Sequence, residues 1–269
     1  ELNKINMEGT IVIGEGEMDE APMLYIGERL GTLNGPKFDI AVDPLEGTKF
    51  TANNQPNAFS VLAISKKGEL LKAPDVYMEK IAIGTNLPKN LLDLDNGVEK
   101  NIKLLAEAKN KKISNLSACV MQRPRHKHII DELLRLNVKI NFITDGDIAG
   151  VLSVIGNKPV NDIYYSTGGA PEGVLAAAAL SCFGGQMQGR LVLNEEEKIR
   201  AKKLGISDFK KKYNISEIIK GDVIFCATGV TSGDLVKGVK DLGNEYEVNT
   251  YALHKSKKII KTVTNIYNK

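Results

Sequence analysis

No stretch of eighteen or more apolar residues occurs in this chain, so a transmembrane helix is not expected. Cysteine is scarce: Cys119, Cys182 and Cys226 lie far apart, each beside small or apolar residues, with no C-x-x-C spacing. That excludes a disulfide framework and a structural zinc site, and leaves reduced core thiols in a cytoplasmic protein as the expectation. Three histidines are too few and too scattered to build a metal site. Internal repeats and low-complexity segments are absent, and the first residues, Glu1-Leu2-Asn3-Lys4, read as neither a signal peptide nor a transit peptide.

What is present is an ordinary globular composition. The chain has 269 residues, 42% hydrophobic and 26% charged, enough for one large domain or two smaller ones with a real core. The net charge of +3 is unevenly spread: residues 198–269 carry 15 Lys+Arg against 7 Asp+Glu, and the remainder carries 21 against 26. A basic C-terminal third can signal nucleic acid. Here Lys198–Lys212 interleaves lysines with Ile199, Ala201, Leu204 and Ile206 and offers only Phe209 and Tyr213 as aromatics, the pattern of a solvated helix face. Neither a nucleic-acid nor a membrane partner is expected.

Periodicity predicts strands at Thr10–Ile13, Phe38–Val42 and Ala58–Ile64, with a helix from about Asp19 to Leu30 stopped by Gly31. Lys66-Lys67-Gly68 reads as a turn, and β character continues at Leu70-Leu71 and Lys80–Ile83. Residues 84–97 are rich in Gly, Asn and Pro and read as loop. A helix through Val98, Ile102 and Leu105 follows. From about residue 113 strands alternate with helices: Leu116–Met121, His128–Leu136, Val138–Ile143, Asp147–Ile155, Asp162–Tyr165, Pro171–Phe183, then strand Asp222–Ala227 and a terminal hairpin. The expected fold class is α/β with an α+β N-terminal part, divided into domains 1–112 and 113–269.

The chemistry concentrates in acidic strand ends. Asp43-Pro44-Leu45-Glu46-Gly47-Thr48 follows the apolar run Phe38–Val42, and Gly14-Glu15-Gly16-Glu17 follows Thr10–Ile13. Carboxylates just past neighbouring strand ends converge on one crevice, and hard divalent cations want oxygen ligands. Thr48 can direct a hydroxyl or backbone N–H at a phosphate or an attacking water. In Gly168-Gly169-Ala170-Pro171-Glu172-Gly173 a Gly-Gly turn enters a buried helix, where Glu172 either serves a ligand or complements the helix dipole. Arg123-Pro124-Arg125 forms a stiff double fork suited to phosphate. Asp145-Gly146-Asp147 stands at a helix start, for metal, for sugar hydroxyls or, in one case, as an N-cap.

The run Val12–Glu28, with Asp43–Thr48, Ala73–Lys80, Asp145–Asp147 and Gly168–Gly173, resembles class II fructose-1,6-bisphosphatases of the GlpX type, in order from about Met7 to the terminal hairpin. The hexapeptide also resembles the wider superfamily of metal-dependent, lithium-sensitive sugar and inositol phosphatases. The resemblance implies a two-domain αβαβα layered sandwich, Mg²⁺ or Mn²⁺ dependence, self-association as a dimer or tetramer, and hydrolysis of the 1-phosphate of fructose 1,6-bisphosphate in gluconeogenesis. It implies Glu15, Asp43, Glu46 and Glu172 as metal ligands and Thr48, Asp43 and Glu46 as catalytic. Glu46, Gly47, Thr48, Tyr77, Arg123, Pro124, Arg125, Asp145, Gly146, Asp147 and Gly169 would line the substrate site. Arg123 stands where the family commonly has lysine. The family also carries an N-terminal helical segment, with a lysine and a metal-binding aspartate, ahead of the position of Glu15. Sedoheptulose 1,7-bisphosphate is the alternative substrate, and a non-catalytic sugar-phosphate-binding subunit the alternative of another class.

Overall fold

A computed structural model describes residues 1–15, 22–156 and 158–269. Its strands and helices run β1 (Glu8–Ile13), β2 (Arg29–Leu30), β3 (Lys37–Glu46), α1 (Thr48–Ala52), β4 (Phe59–Lys66), β5 (Tyr77–Ile83), α2 (Gly97–Ala108), β6 (Ser117–Met121), α3 (Lys127–Arg135), β7 (Lys139–Ile143), α4 (Asp147–Leu152), β8 (Ile163–Gly169), α5 (Ala170–Phe183), β9 (Gln186–Val192), α6 (Glu195–Lys203), β10 (Lys212–Asn214), α7 (Ile215–Ile218), β11 (Val223–Gly229), β12 (Lys240–Asp241), β13 (Glu245–His254) and β14 (Ile259–Asn268).

Two mixed sheets result. The larger runs β12-β13-β11-β4-β3-β1-β2, with β14 also paired to β13; the smaller runs β10-β9-β5-β8-β6-β7. The first sheet takes β1 to β4 from the front of the chain and β11 to β14 from its end. The smaller sheet takes β5 from before residue 112 and the rest from after it.

Between the sheets lies α5, which is apolar on every side. Val174, Leu175 and Leu180 are fully buried, each worth about 1.5–3 kcal/mol. Pro171 sits in its first turn, and Gly184 ends it in the left-handed region with its N–H on the Leu180 carbonyl. One core joins α5 and α4 to inner-face residues of both sheets, among them Ala41, Phe59, Val61, Met78 and Leu191. A second core packs α2 (Val98, Ile102, Leu105) and α3 (Ile129, Leu133) on the outer face of the smaller sheet, through Ile81, Val120 and Ile163. The layers are therefore α, β, α, β. The outer face of the larger sheet carries a third apolar cluster around Ile11, Ile40 and Val42, to which no α-helix among the described residues contributes. No described helix is long and apolar enough to cross a membrane.

One expected element is corrected. Residues 19–21 lie outside the described residues, but 22–30 are bends, a turn and β2 rather than helix. The edge of β1 wins the backbone: Ile11 N–H donates to the Glu28 carbonyl, and Gly27 N–H to the Ile11 carbonyl. Leu24 and Gly27 both take positive φ, which a helix does not tolerate.

Candidate metal and sugar-phosphate site

The acidic hexapeptide is not a turn after a strand; β3 continues through it. Asp43 faces Val61 and Glu46 faces Phe59, so Pro44 and Leu45 together stand opposite Ser60 alone. Pro44 lacks the N–H needed to continue the ladder, and the extra residue is absorbed as a β-bulge. The bulge matters because side chains three apart on a regular strand point to opposite faces. With one residue looped out, Asp43 and Glu46 take the places of neighbours on a single face. Gly47 follows at φ +80°, and a Cβ there would press within 2.8 Å of Phe50. That sharp exit starts α1 and leaves Thr48 exposed at the mouth, its hydroxyl without a hydrogen bond to any described residue.

Glu15, Asp43, Glu46, Gly47, Thr48, Asp145 and Glu172 line one cavity of about 330 Å³, together with Asp75. Glu46 is buried, and its Oε1 accepts from Ile148 N–H at 2.8 Å. Burial, then the charges of Glu172, Asp43 and Asp147, push its carboxyl well above the usual range. Asp43 accepts from Leu45 N–H at 2.9 Å, yet burial, with Asp145 acting in the same direction, raises it too. Burial first, then the Asp147 and Asp43 charges, push Glu172 up to about 7 against the pull of Lys80. Its Oε2 is out of reach of solvent with no hydrogen-bond partner among the described residues. Among the described residues, no three acidic, histidine or cysteine side chains already stand as a closed ligand set.

A buried carboxylate oxygen without a partner, among acids that raise one another's pKa, is a site short of positive charge. Oxygen donors of this kind fit a hard divalent cation.

Behind the cavity stands a group the sequence reading missed. Lys80 is 1% exposed; its ammonium pairs with Asp147 and donates to the Gly169 carbonyl at 2.6 Å. Tyr164 hydroxyl donates to the other oxygen of Asp147. Both oxygens of Asp147 are thus engaged within the fold. Gly168 and Gly169 are the last residues of β8, paired with Met78 and Tyr77, rather than a turn. Side chains there would run into the Asp147 and Glu172 carboxylates, so these glycines make room for the protein's own acids.

The basic end lies around Pro124–His126, a single turn of 3₁₀ helix. Arg123 Nη2 donates to the Thr144 carbonyl at 2.7 Å, and Nη1 to the Gln122 carbonyl at 3.1 Å. Arg125 Nε donates to the Thr167 carbonyl at 2.8 Å, and its guanidinium stacks 4.6 Å from the centre of the Tyr77 ring. Nη1 and Nη2 of Arg125 make no hydrogen bond to any described residue, and Tyr77 is 52% exposed beneath them. Thr144, whose carbonyl accepts from Arg123, is followed by Asp145, which lines the carboxylate cavity and whose Oδ2 accepts from Lys49 N–H at 3.1 Å, and by Gly146 (φ +74°), where a Cβ would meet Phe50.

The chain matches, over residues 1–267, the family described as bacterial fructose-1,6-bisphosphatase, glpX-encoded. The chain belongs to this GlpX family.

Curated relatives agree. Fructose-1,6-bisphosphatase 1 class 2 of Escherichia coli (strain K12) is 41% identical over 282 residues, covering 99% of this chain and 83% of the relative. The class 2 enzyme of Haemophilus influenzae is 41% identical over 281 residues, covering 99% and 84%. A D-fructose 1,6-bisphosphatase class 2/sedoheptulose 1,7-bisphosphatase of Synechococcus sp. (strain JA-2-3B'a(2-13)) is 40% identical over 294 residues, covering 100% and 84%. The GlpX family is one of metal-dependent phosphatases.

Against that family, the cavity gathers Glu15, Asp43, Glu46, Gly47, Thr48, Asp145 and Glu172. Tyr77, Arg123, Pro124, Arg125, Gly146, Asp147 and Gly169 are not in its lining. Lys80, Tyr164 and Asp75 are the additions. Lys80 carried a signal: it is a lone cation inside the strand Tyr77–Ile83, where an unpaired charge could not be buried. Asp75, directly after Pro74, carried a weaker one, and Tyr164 none.

Proposed function

We propose that this chain hydrolyses the 1-phosphate of fructose 1,6-bisphosphate to fructose 6-phosphate and inorganic phosphate, as a cytoplasmic enzyme of gluconeogenesis. The observation that carries the reading is the pairing of a buried, charge-deficient carboxylate cluster with a separate arginine fork. Glu15, Asp43, Glu46 and Glu172 would hold divalent cations, Mn²⁺ or Mg²⁺. Such a cation, when bound, supplies neutralisation of the scissile phosphate and a lowered pKa for water.

The chain's own residues do the rest. Water oxygen attacks phosphorus in line, the bond from phosphorus to the C1 oxygen breaks, and that oxygen leaves with the electron pair and takes up a proton. Thr48, exposed at the mouth with its hydroxyl uncommitted, orients the water or helps remove its proton. The free nitrogens of Arg125, with Arg123 on the same turn, hold the 6-phosphate and so position the 1-phosphate. Pro124 stiffens that turn. Asp145 and Tyr77 read sugar hydroxyls, and Gly47, Gly146 and Gly169 allow the close backbone approaches. Asp147, engaged by Lys80 and Tyr164, holds the shape of the site.

Phosphate release from fructose 1,6-bisphosphate, measured with Mn²⁺ or Mg²⁺ added and then chelated, tests the proposal. Cation-dependent release is expected, and none under any divalent ion would sink it. The cyanobacterial relatives' names favour a second reading, in which sedoheptulose 1,7-bisphosphate is also cleaved. Rates on the two bisphosphates and on a sugar monophosphate separate these. A binding-only subunit would take up sugar phosphate without releasing phosphate. We also propose a homodimer or homotetramer, to be checked by light scattering.

A further inference from the structure

The pairing of β6 with β8 runs from Ala118 opposite Ile163 to Val120 opposite Tyr165 and stops there. Two residues further along β8, both backbone groups of Thr167 go to side chains instead. Its N–H donates to His126 Nε2 at 2.8 Å, and its carbonyl accepts from Arg125 Nε at 2.8 Å. His126 is fully buried, and its Nδ1 stands 2.6 Å from the carbonyl oxygen of Met121, the last residue of β6. A carbonyl only accepts, so Nδ1 carries the proton; an amide N–H only donates, so Nε2 is bare. The two partners thereby dictate one neutral tautomer. Burial, and then the Arg125 charge, hold the imidazole below its ordinary range, against its bond to the Met121 carbonyl and the Asp147 charge.

His126 and Arg125 share the single turn Pro124–His126, and together they stand in for the strand that β8 has lost. We infer that His126 is a positioning residue for the far-phosphate subsite: its ring ties the end of β6 to Thr167, and that tie sets where Arg125 presents Nη1 and Nη2. The inference rests on the reading of Arg125 given under Proposed function. His126 has no hydrogen bond to Asp43, Glu46 or Thr48, so its loss should move substrate affinity and spare turnover.

Steady-state kinetics of the full chain on fructose 1,6-bisphosphate decide the matter, with Arg125→Ala, His126→Leu, the double variant, His126→Gln and His126→Asn. Gln places an amide oxygen where Nε2 accepted from Thr167; Asn keeps only the donor to Met121. Arg125→Ala and His126→Leu are each expected to raise KM about tenfold with kcat within about twofold. The double variant should go no higher than Arg125→Ala, and Gln should recover affinity where Asn does not. KM unchanged in His126→Leu while Arg125→Ala raises it overturns the positioning role and leaves the reading of Arg125 standing. Multiplicative effects in the double variant do the same. KM unchanged in Arg125→Ala overturns that reading and this inference together. If His126→Leu does not fold, Gln and Asn carry the test, and equal KM values for them overturn the inference.

Discussion

Asp43, Glu46 and Glu172 crowd one buried cavity; Arg123 and Arg125 stand outside its lining, on the turn that follows β6. Both sets bring like charges together, and the protein treats them oppositely. The acids are drawn out of water: burial raises the pKa of all three, the Glu172 and Asp43 charges add to it at Glu46, and the Asp43 charge adds to it at Glu172. Most have a single backbone donor, and one oxygen of Glu172 has none. The arginines stay near solvent, where water screens them, and each rests on main-chain carbonyls. The acidic end is thus held under a charge imbalance that a bound proton or an added cation relieves. The basic end is already settled, and keeps spare donors for a ligand. The difference teaches that chemistry and recognition are built by different physics here: burial without compensation at one end, satisfied exposure at the other.

Four experiments would break or sharpen that contrast. The largest effect belongs to the acids. Asp43→Asn should lower cation-dependent phosphate release by more than about 100-fold, because even outer-shell changes at metal sites cost about 10–100-fold. The same substitution should leave the melting temperature of the chelated protein unchanged or higher, since it removes a repelling charge. Retained turnover would mean that the acidic end is not the reaction centre. Next comes Thr48→Ala, expected to cut kcat by about 100-fold, in line with loss of a proton-handling group; unchanged turnover removes Thr48 from the mechanism. Arg125→Ala follows, with a raised KM of about tenfold; a loss confined to kcat would contradict its placement at the far phosphate.

The smallest effect is a pH dependence. Glu172 has an ordinary value of 4.5 and stands at about 7 in the fold. Between those values the folded chain keeps a proton that the unfolded chain has released, so stability of the chelated protein falls as pH rises through that window. Melting temperatures recorded in chelator from about pH 5 to about pH 7.5 should decline, and Glu172→Gln should flatten the decline. A bound cation should reverse the trend, because it takes the ionised form.

Much of the frame was legible. The helix through Val98, Ile102 and Leu105, the strand Leu116–Met121 and the apolar helix ending at Phe183 were all readable from apolar spacing, because burial of one face or of every face imposes that spacing. Strand β9 was missed although Gln186, Gln188 and Arg190 alternate with Met187 and Leu191 at a period of two. The helix expected after Asp19 failed because a neighbouring strand edge offered those backbone groups better partners, and no local propensity reports that. At the site, the acidic residues were legible as a motif. The bulge at Pro44-Leu45 that turns Asp43 and Glu46 to one face was not, since a proline in a strand announces an interruption without saying how the register recovers.

The sequence by itself determined the oxygen-rich, cysteine-poor donor set, the order of strands and helices from residue 113 to 183, and the family. Those follow from residue type and local spacing, which need no knowledge of distant neighbours. Only the tertiary structure decided that Asp147 is buried between Lys80 and Tyr164, that one oxygen of Glu172 is buried with no hydrogen-bond partner among the described residues, and that His126 holds Thr167. Each of these depends on residues tens of positions apart meeting in a space without water. There the strength of a charge or a hydrogen bond is set by what the fold brings beside it.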